Sequence, residues 1–93
     1  MKIVWDRRKA ARNVSKHSVS FEEAATVFSN PLALIFDDEW HSESETREIL
    51  IGHSADARLL VIRFTTREES IRIISARPAT AREQRDYEED AYR

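Results

Sequence analysis

The stretch SIRIISARPATAREQRDYEED, residues 70–90, changes its period halfway along. Ile71, Ile73 and Ile74 mark a strand, and Thr80 followed three residues later by Glu83 has the spacing of a helix-opening capping box. The stretch also carries four arginines and no glycine. A guanidinium stays mostly exposed unless something pairs with it, so Arg72 among the isoleucines and Arg77 at the strand end both call for partners. Strict alternation places Ile71, Ile73, Ser75 and Arg77 on one face of the strand and Arg72, Ile74 and Ala76 on the other.

Working back from residue 70, LALIF, REILIGH and RLLVIRFTT are short runs rich in Ile, Leu and Val, set apart by the polar stretches DDEWHSESET, SADA and REE. Four strands joined mostly by short turns predict an antiparallel meander. In RLLVIRFTT, Leu59, Val61, Arg63 and Thr65 share one face, and Leu60, Ile62 and Phe64 share the other. Both faces are largely apolar, so each is at least partly covered: two helices cover one, and the other is a groove with arginines at its floor or rim. Gly52, the only glycine, falls inside a strand, which predicts a bulge or a close backbone approach.

The helices lie at the two ends. KIVW reads as a short strand, followed by Asp6 as N-cap of a helix RRKAARNVSK in which Ala10, Val14 and His17 recur at near-helical spacing. In SFEEAATVFSNP, Ser20 and Glu23 have capping-box spacing, Phe21, Ala24, Ala25 and Phe28 make an apolar stripe, and Pro31 follows the end. The terminal helix carries Arg82–Asp86 and Arg85–Glu89 at i, i+4. Its only large apolar groups are Tyr87 and Tyr92, so it packs weakly. The expectation is a single α+β domain over residues 1–93.

Composition bounds the function. With 41% hydrophobic and 34% charged residues, the chain is not a disordered tail and holds no membrane span, since no run approaches roughly 18 apolar residues. There is no cysteine, and MKIVWDRRK lacks the apolar run of a leader, so a cytoplasmic protein is expected. His17, His41 and His53 stand without a second ligand at metal spacing; no metal and no cofactor are expected, and DDEWHSESE reads as a solvated loop. The net charge of −2 argues against a general nucleic-acid binder, and the acidic second helix argues against a helix-turn-helix DNA reader. The distribution is uneven, however. Residues 1–17 hold six basic and one acidic residue, 18–56 one and nine, 57–82 six and two, and 83–93 two and five. Should the two basic segments meet in space, the fold presents one positive face despite its acidic total.

VWDRRKAARNVSKHSVSFEEAATVF, then Arg47 with Ile51-Gly52, then IRIISARPATAREQRDYE resemble, in order and spacing, the BrnT family of bacterial type II toxins. The similarity covers nearly the whole chain, and KHSVSFEEA and RIISAR are its most specific pieces. One departure is that the family usually has Lys-His-Gly where this chain has Lys16-His17-Ser18. The resemblance implies a RelE-like fold, with two N-terminal helices on a small antiparallel sheet and a helix at the C-terminus. It implies a ribonuclease that stops translation, and a BrnA-like antitoxin that neutralises it and reaches operator DNA through a ribbon-helix-helix domain. It also implies metal-free cleavage, in which the ribose 2′-OH attacks the adjacent phosphorus.

Such chemistry needs a base, an acid and cations for the growing phosphate charge. Arg72 and Arg77, in the family-matching IRIISAR, are the first choice for the phosphate, and Arg47 is the third. Lys16 is a further cation or acid, or a helix-end charge. His17 is a possible base or a buried structural group. Glu22 and Glu23 compete as the carboxylate, although capping already accounts for Glu23. Tyr87 is expected to pack. The alternative to a ribonuclease is an inactive module of the same fold that binds antitoxin or regulates an operon.

Overall fold

The computed structural model describes residues 2–38 and 46–91. Along the chain it forms β1 (Lys2–Trp5), α1 (Arg7–His17), α2 (Phe21–Val27), β2 (Leu34–Asp37), β3 (Arg47–His53), β4 (Leu59–Arg67), β5 (Ser70–Pro78) and α3 (Ala81–Ala91). The strands make one sheet in the order β1-β5-β4-β3-β2. β2 to β5 are the expected antiparallel meander, but β1 pairs parallel to β5, so the sheet is mixed and not antiparallel throughout. The chain leaves β1 through two helices and starts the meander at the far edge, which brings its last strand back beside its first. Most of the acidic run 37–45 lies outside the described residues.

α2 seats Phe21, Ala24 and Val27 against Leu50, Leu60, Ile62, Phe64, Ile73 and Ala76, all buried. Edge-to-face pairs tie α2 to β1 and to β4, Trp5 on Phe21 at 6.0 Å and Phe28 on Phe64 at 5.0 Å. The period-2 reading of β4 holds, with Leu60, Ile62 and Phe64 inward. That of β5 does not. Arg63 pairs with Ser75 but Phe64 pairs with Ile73, which leaves Ile74 as one extra residue on β5. This bulge inverts the alternation beyond it: Ala76 joins Ile71 and Ile73 on the helix side, and Arg77 joins Arg72 on the opposite side.

α1 also departs from expectation. Val14 is exposed and His17 only half-buried; the buried residue of the helix is Asn13. Its Oδ1 accepts from Ala76 N–H at 3.1 Å, and its Nδ2 donates to Ala76 O at 2.8 Å and to Val19 O at 2.9 Å. β1 pairs only with residues 70–73 of β5. Past that point one side-chain amide satisfies both Ala76 peptide groups, which a neighbouring strand would otherwise bond.

Among the described residues Ser18, Ala57 and Glu68 take positive φ, and Gly52 is restrictive for another reason. Ser18 ends α1 at φ 57°, ψ 34°, in the left-handed region, with its N–H donating to Val14 O at 2.9 Å. Glycine takes this conformation without steric cost, which is the physical sense of the Lys-His-Gly pattern. Gly52 is a close approach: a Cβ there would lie 2.8 Å from Ala33 Cβ and 2.9 Å from Val27 Cγ1.

Ser18→Gly should raise stability by roughly 0.5–1 kcal/mol, the strain relieved less the entropy glycine adds to the unfolded chain, read as a higher urea midpoint. Gly52→Ala should lower stability by about 1–3 kcal/mol, because the Ala33 backbone as well as Val27 must yield. At roughly 4–8 °C per kcal/mol for a domain of this size, thermal unfolding will resolve it.

Candidate functional site

The sheet face turned away from α1 and α2 is ordered in three cross-strand rows. Arg47, Thr65 and Arg72 form the first, with Val4 of β1 at its end; Phe36, Ile49, Arg63 and Ser75 form the second; Leu34, Ile51, Val61 and Arg77 form the third. Four arginines therefore share a patch about 10 Å across the strands and about 13 Å along them, by ordinary strand spacing. All four are half-buried, and Thr65 beneath them is buried with its hydroxyl donating to Thr46 O at 2.8 Å.

Arg63 and Arg77 each meet a carboxylate. Arg63 Nε lies 3.3 Å from Oδ2 of the buried Asp38. Arg77 is gripped by Glu83 through two parallel bonds, Nη1–Oε1 at 2.7 Å and Nη2–Oε2 at 2.9 Å. Glu83 also completes a reciprocal capping box, since Thr80 N–H donates to Glu83 Oε1 at 2.9 Å and Glu83 N–H to Thr80 Oγ1 at 3.1 Å. Among the described residues no hydrogen bond or ion pair reaches the Arg72 side chain; its charge only adds to the Lys9 N–H bond in lowering the Asp6 pKa. Arg72 is thus the member of the patch whose donors are available to an incoming anion.

α3 overlies the third row. Tyr87 is buried, stacks edge-on to His53 at 5.7 Å and donates its hydroxyl to Leu32 O at 3.0 Å. With the Arg77–Glu83 pair this gives the helix two anchors. The expected Arg82–Asp86 and Arg85–Glu89 pairs are not made; Gln84 donates to Glu88 at 3.1 Å instead. Exposed ion pairs gain too little to immobilise two long side chains.

The carboxylates singled out from the sequence stand elsewhere. Glu22 is exposed on α2, across the sheet from the arginines. Glu23 caps α2 with its N–H, which donates to Ser20 Oγ at 3.0 Å, but its carboxylate does not close the capping box. It accepts instead from Arg58 Nε at 2.9 Å, from Arg58 Nη2, and from Ser54 Oγ at 2.7 Å. Arg58 and then the Ser54 hydroxyl hold its pKa below the ordinary carboxylate value. Arg58 also donates to Ser18 O at 3.0 Å, so this cluster fastens the β3–β4 turn to the α1–α2 junction. Lys16 and His17 flank Ile74 and Ser75 at the open edge of β5. The structure therefore brings Arg47, Arg72 and Arg77 together, sets Lys16 at their margin, and keeps Glu22 and Glu23 away. Arg63 and Asp38 are the members missed by sequence reasoning. Arg63 was visible as an arginine in phase with Thr65, whereas Asp38 had no signal. Among the described residues no three His, Asp or Glu side chains converge as a metal site requires, and no helix is long and apolar enough to cross a membrane.

A family profile described as "Ribonuclease toxin, BrnT, of type II toxin-antitoxin system" matches residues 5–83. Among solved structures, the chain is similar to the crystal structure of the Brucella abortus ribonuclease toxin BrnT. The two share 26% identity with a TM-score of 0.66, over 86% of this chain and 97% of that one. Among curated protein sequences none matches significantly.

The Arg77–Glu83 pair makes α3 docking sensitive to acid. Arg77 first, and then the Thr80 N–H, hold the Glu83 carboxyl at about 2, down from its ordinary 4.5. A depressed carboxyl contributes stability that is complete above the unfolded value and is lost as pH falls through the folded one. Near neutral pH the wild type should therefore have a higher urea midpoint than Glu83→Gln, and the gap should close between about pH 4.5 and 2. A gap that does not vary with pH would remove the ion pair as its cause.

Proposed function

The chain belongs to the BrnT family of ribonuclease toxins of type II toxin–antitoxin systems, and from this premise we propose that its arginine face binds and cleaves RNA. The observation that carries the reading is the row arrangement itself: four guanidiniums on one sheet face, with Arg72 unengaged between Thr65 and β1. A phosphodiester is the partner that converging planar donors fit best.

In the proposed reaction the ribose 2′-oxygen attacks phosphorus, its proton passing to a base. The bond from phosphorus to the 5′-oxygen breaks, and that oxygen takes a proton from an acid. The products are a 2′,3′-cyclic phosphate and a 5′-OH, with no metal required. Arg72 and Arg47, one on each side of Thr65, meet the charge that grows on the phosphate oxygens, and Arg63 supports them from the next row, held by Asp38. Arg77 contributes when Glu83 releases it. Lys16 and His17, at the β5 edge beside Ser75, are the candidates for proton transfer. Glu22 and Glu23 do not reach this face and have no part in the step.

As a member of such a pair, the protein is proposed to act in the cytoplasm as a RelE-like inhibitor of translation, neutralised by a BrnA-like antitoxin whose ribbon-helix-helix domain contacts operator DNA. A second reading, an inactive module that binds antitoxin only, is favoured by Glu83 neutralising Arg77 and by the distance of Glu22 and Glu23 from the arginines.

One experiment separates the two. Purified wild type should cut single-stranded RNA in excess EDTA and leave a cyclic phosphate, and RNA with deoxyribose at the cut position should resist. Arg72→Ala should lower the rate about 10²–10³-fold, the usual effect of removing one donor to a developing oxyanion, with unchanged thermal unfolding. Cleavage of the deoxy strand, or loss in EDTA restored by magnesium, would overturn the mechanism. No cleavage by a folded wild type would favour the binding module.

A further inference from the structure

Lys9, Arg12 and Lys16 stand at i, i+3 and i+7 of α1, on the face that also carries Asn13. With His17, Ile74 and Ser75 they line an open cleft of 320 Å³ between the helix and the edge of β5 that β1 leaves uncovered. No carboxylate is among the described residues lining it. All three cations are exposed, and no hydrogen bond or ion pair holds their side chains among the described residues.

One part of this arrangement works against the helix. Asp6 caps the start of α1 and Lys16 suits its end, but the helix sets Arg8–Arg12 and Arg12–Lys16 as like charges at i, i+4. An anion lying in the cleft would relieve that repulsion. The three cations span about 10 Å of helix axis, room for about three phosphates of a nucleic-acid strand. The bulge residue Ile74 gives the cleft an apolar floor. Ser75 joins the cleft to the arginine face, because its cross-strand partner is Arg63. A chain passing over the β5 edge at Ser75 thus leads from one cationic surface to the other.

We propose that this cleft carries the phosphate backbone of the RNA strand flanking the cut bond, with Lys9 and Arg12 neutralising phosphates outside the reacting centre. The assignment rests on the ribonuclease reading for its substrate and predicts a property which that reading does not: long strands bind better than short ones, through α1.

The test compares Lys9→Glu/Arg12→Glu with Arg82→Glu/Arg85→Glu, an equal change of charge on exposed residues of α3 across the sheet. Lys9→Glu sets an acid three residues after the Asp6 cap, which suits the helix start and keeps the variant folded. The probes are a labelled long single strand of 2′-O-methyl RNA, which resists cleavage, and a ribodinucleotide. The α1 variant should bind the long strand at least about tenfold more weakly, and its slope of log affinity against log salt should fall by about 1.4, for two phosphate contacts on a single strand. Its turnover of the dinucleotide should match wild type, and the α3 variant should bind as wild type does. Equal loss in both variants, or no loss in either, overturns the proposal. Should the wild type fail to cleave while the α1 variant still loses long-strand affinity, the ribonuclease reading falls and the cleft assignment stands. Should cleavage proceed equally on long and short RNA in wild type and α1 variant, the cleft assignment alone falls.

Discussion

The single unpaired residue Ile74 in β5 decides how this molecule uses its last strand, because an inserted residue reverses every side chain that follows it. Without it, Arg77 would point into the helix-covered core and Ala76 toward the arginines. With it, Arg72 and Arg77 share a face, Ala76 fits under the helices, and the Ala76 peptide groups face the open edge where Asn13 meets them. The position of α1, the gathering of the arginines and the cleft at the sheet edge all depend on this one insertion. A bulge is commonly found where a sheet must re-aim a side chain, and here it re-aims a cation.

Charge is sorted by the same topology. The basic segments at residues 1–17 and 57–82 are far apart in the chain, but β1 lies beside β5 and α1 packs on it. The acidic residues of α2 lie across the sheet, while Glu83 of α3 and Asp38 after β2 enter the patch only as partners of Arg77 and Arg63. A net charge of −2 therefore coexists with a continuous cationic band around one edge of the sheet. Total charge sets solubility, whereas the local field is set by which segments the fold brings together.

The two capping-box sequences in this chain show how tertiary partners redirect local chemistry. At Thr80 and Glu83 the box closes in both directions, and the spare capacity of the carboxylate takes Arg77. At Ser20 and Glu23 only the serine half forms, because Arg58 and Ser54 offer the carboxylate charge-assisted bonds stronger than a return to its own helix start. The spacing is the same and the uses differ: one acid fastens a turn to a helix junction, the other holds a helix across the arginine face.

Periodicity and capping residues were enough to place both N-terminal helices, the β2 to β5 meander, the terminal helix and the inward face of β4, since these follow from patterns a few residues long. The close approach at Gly52 was legible as one of two alternatives. Arg47, Arg72 and Arg77 were picked out through the family motif, and the structure sets them on one face. The parallel pairing of β1, the bulge at Ile74, the burial of Asn13 in place of Val14 and the ion pair of Arg63 with Asp38 were decided only by the tertiary structure. Each joins groups distant in the chain or turns on a count of one residue between two strands. Local preference carries no record of either, because their energy exists only once the sheet has closed and its edge has found a partner.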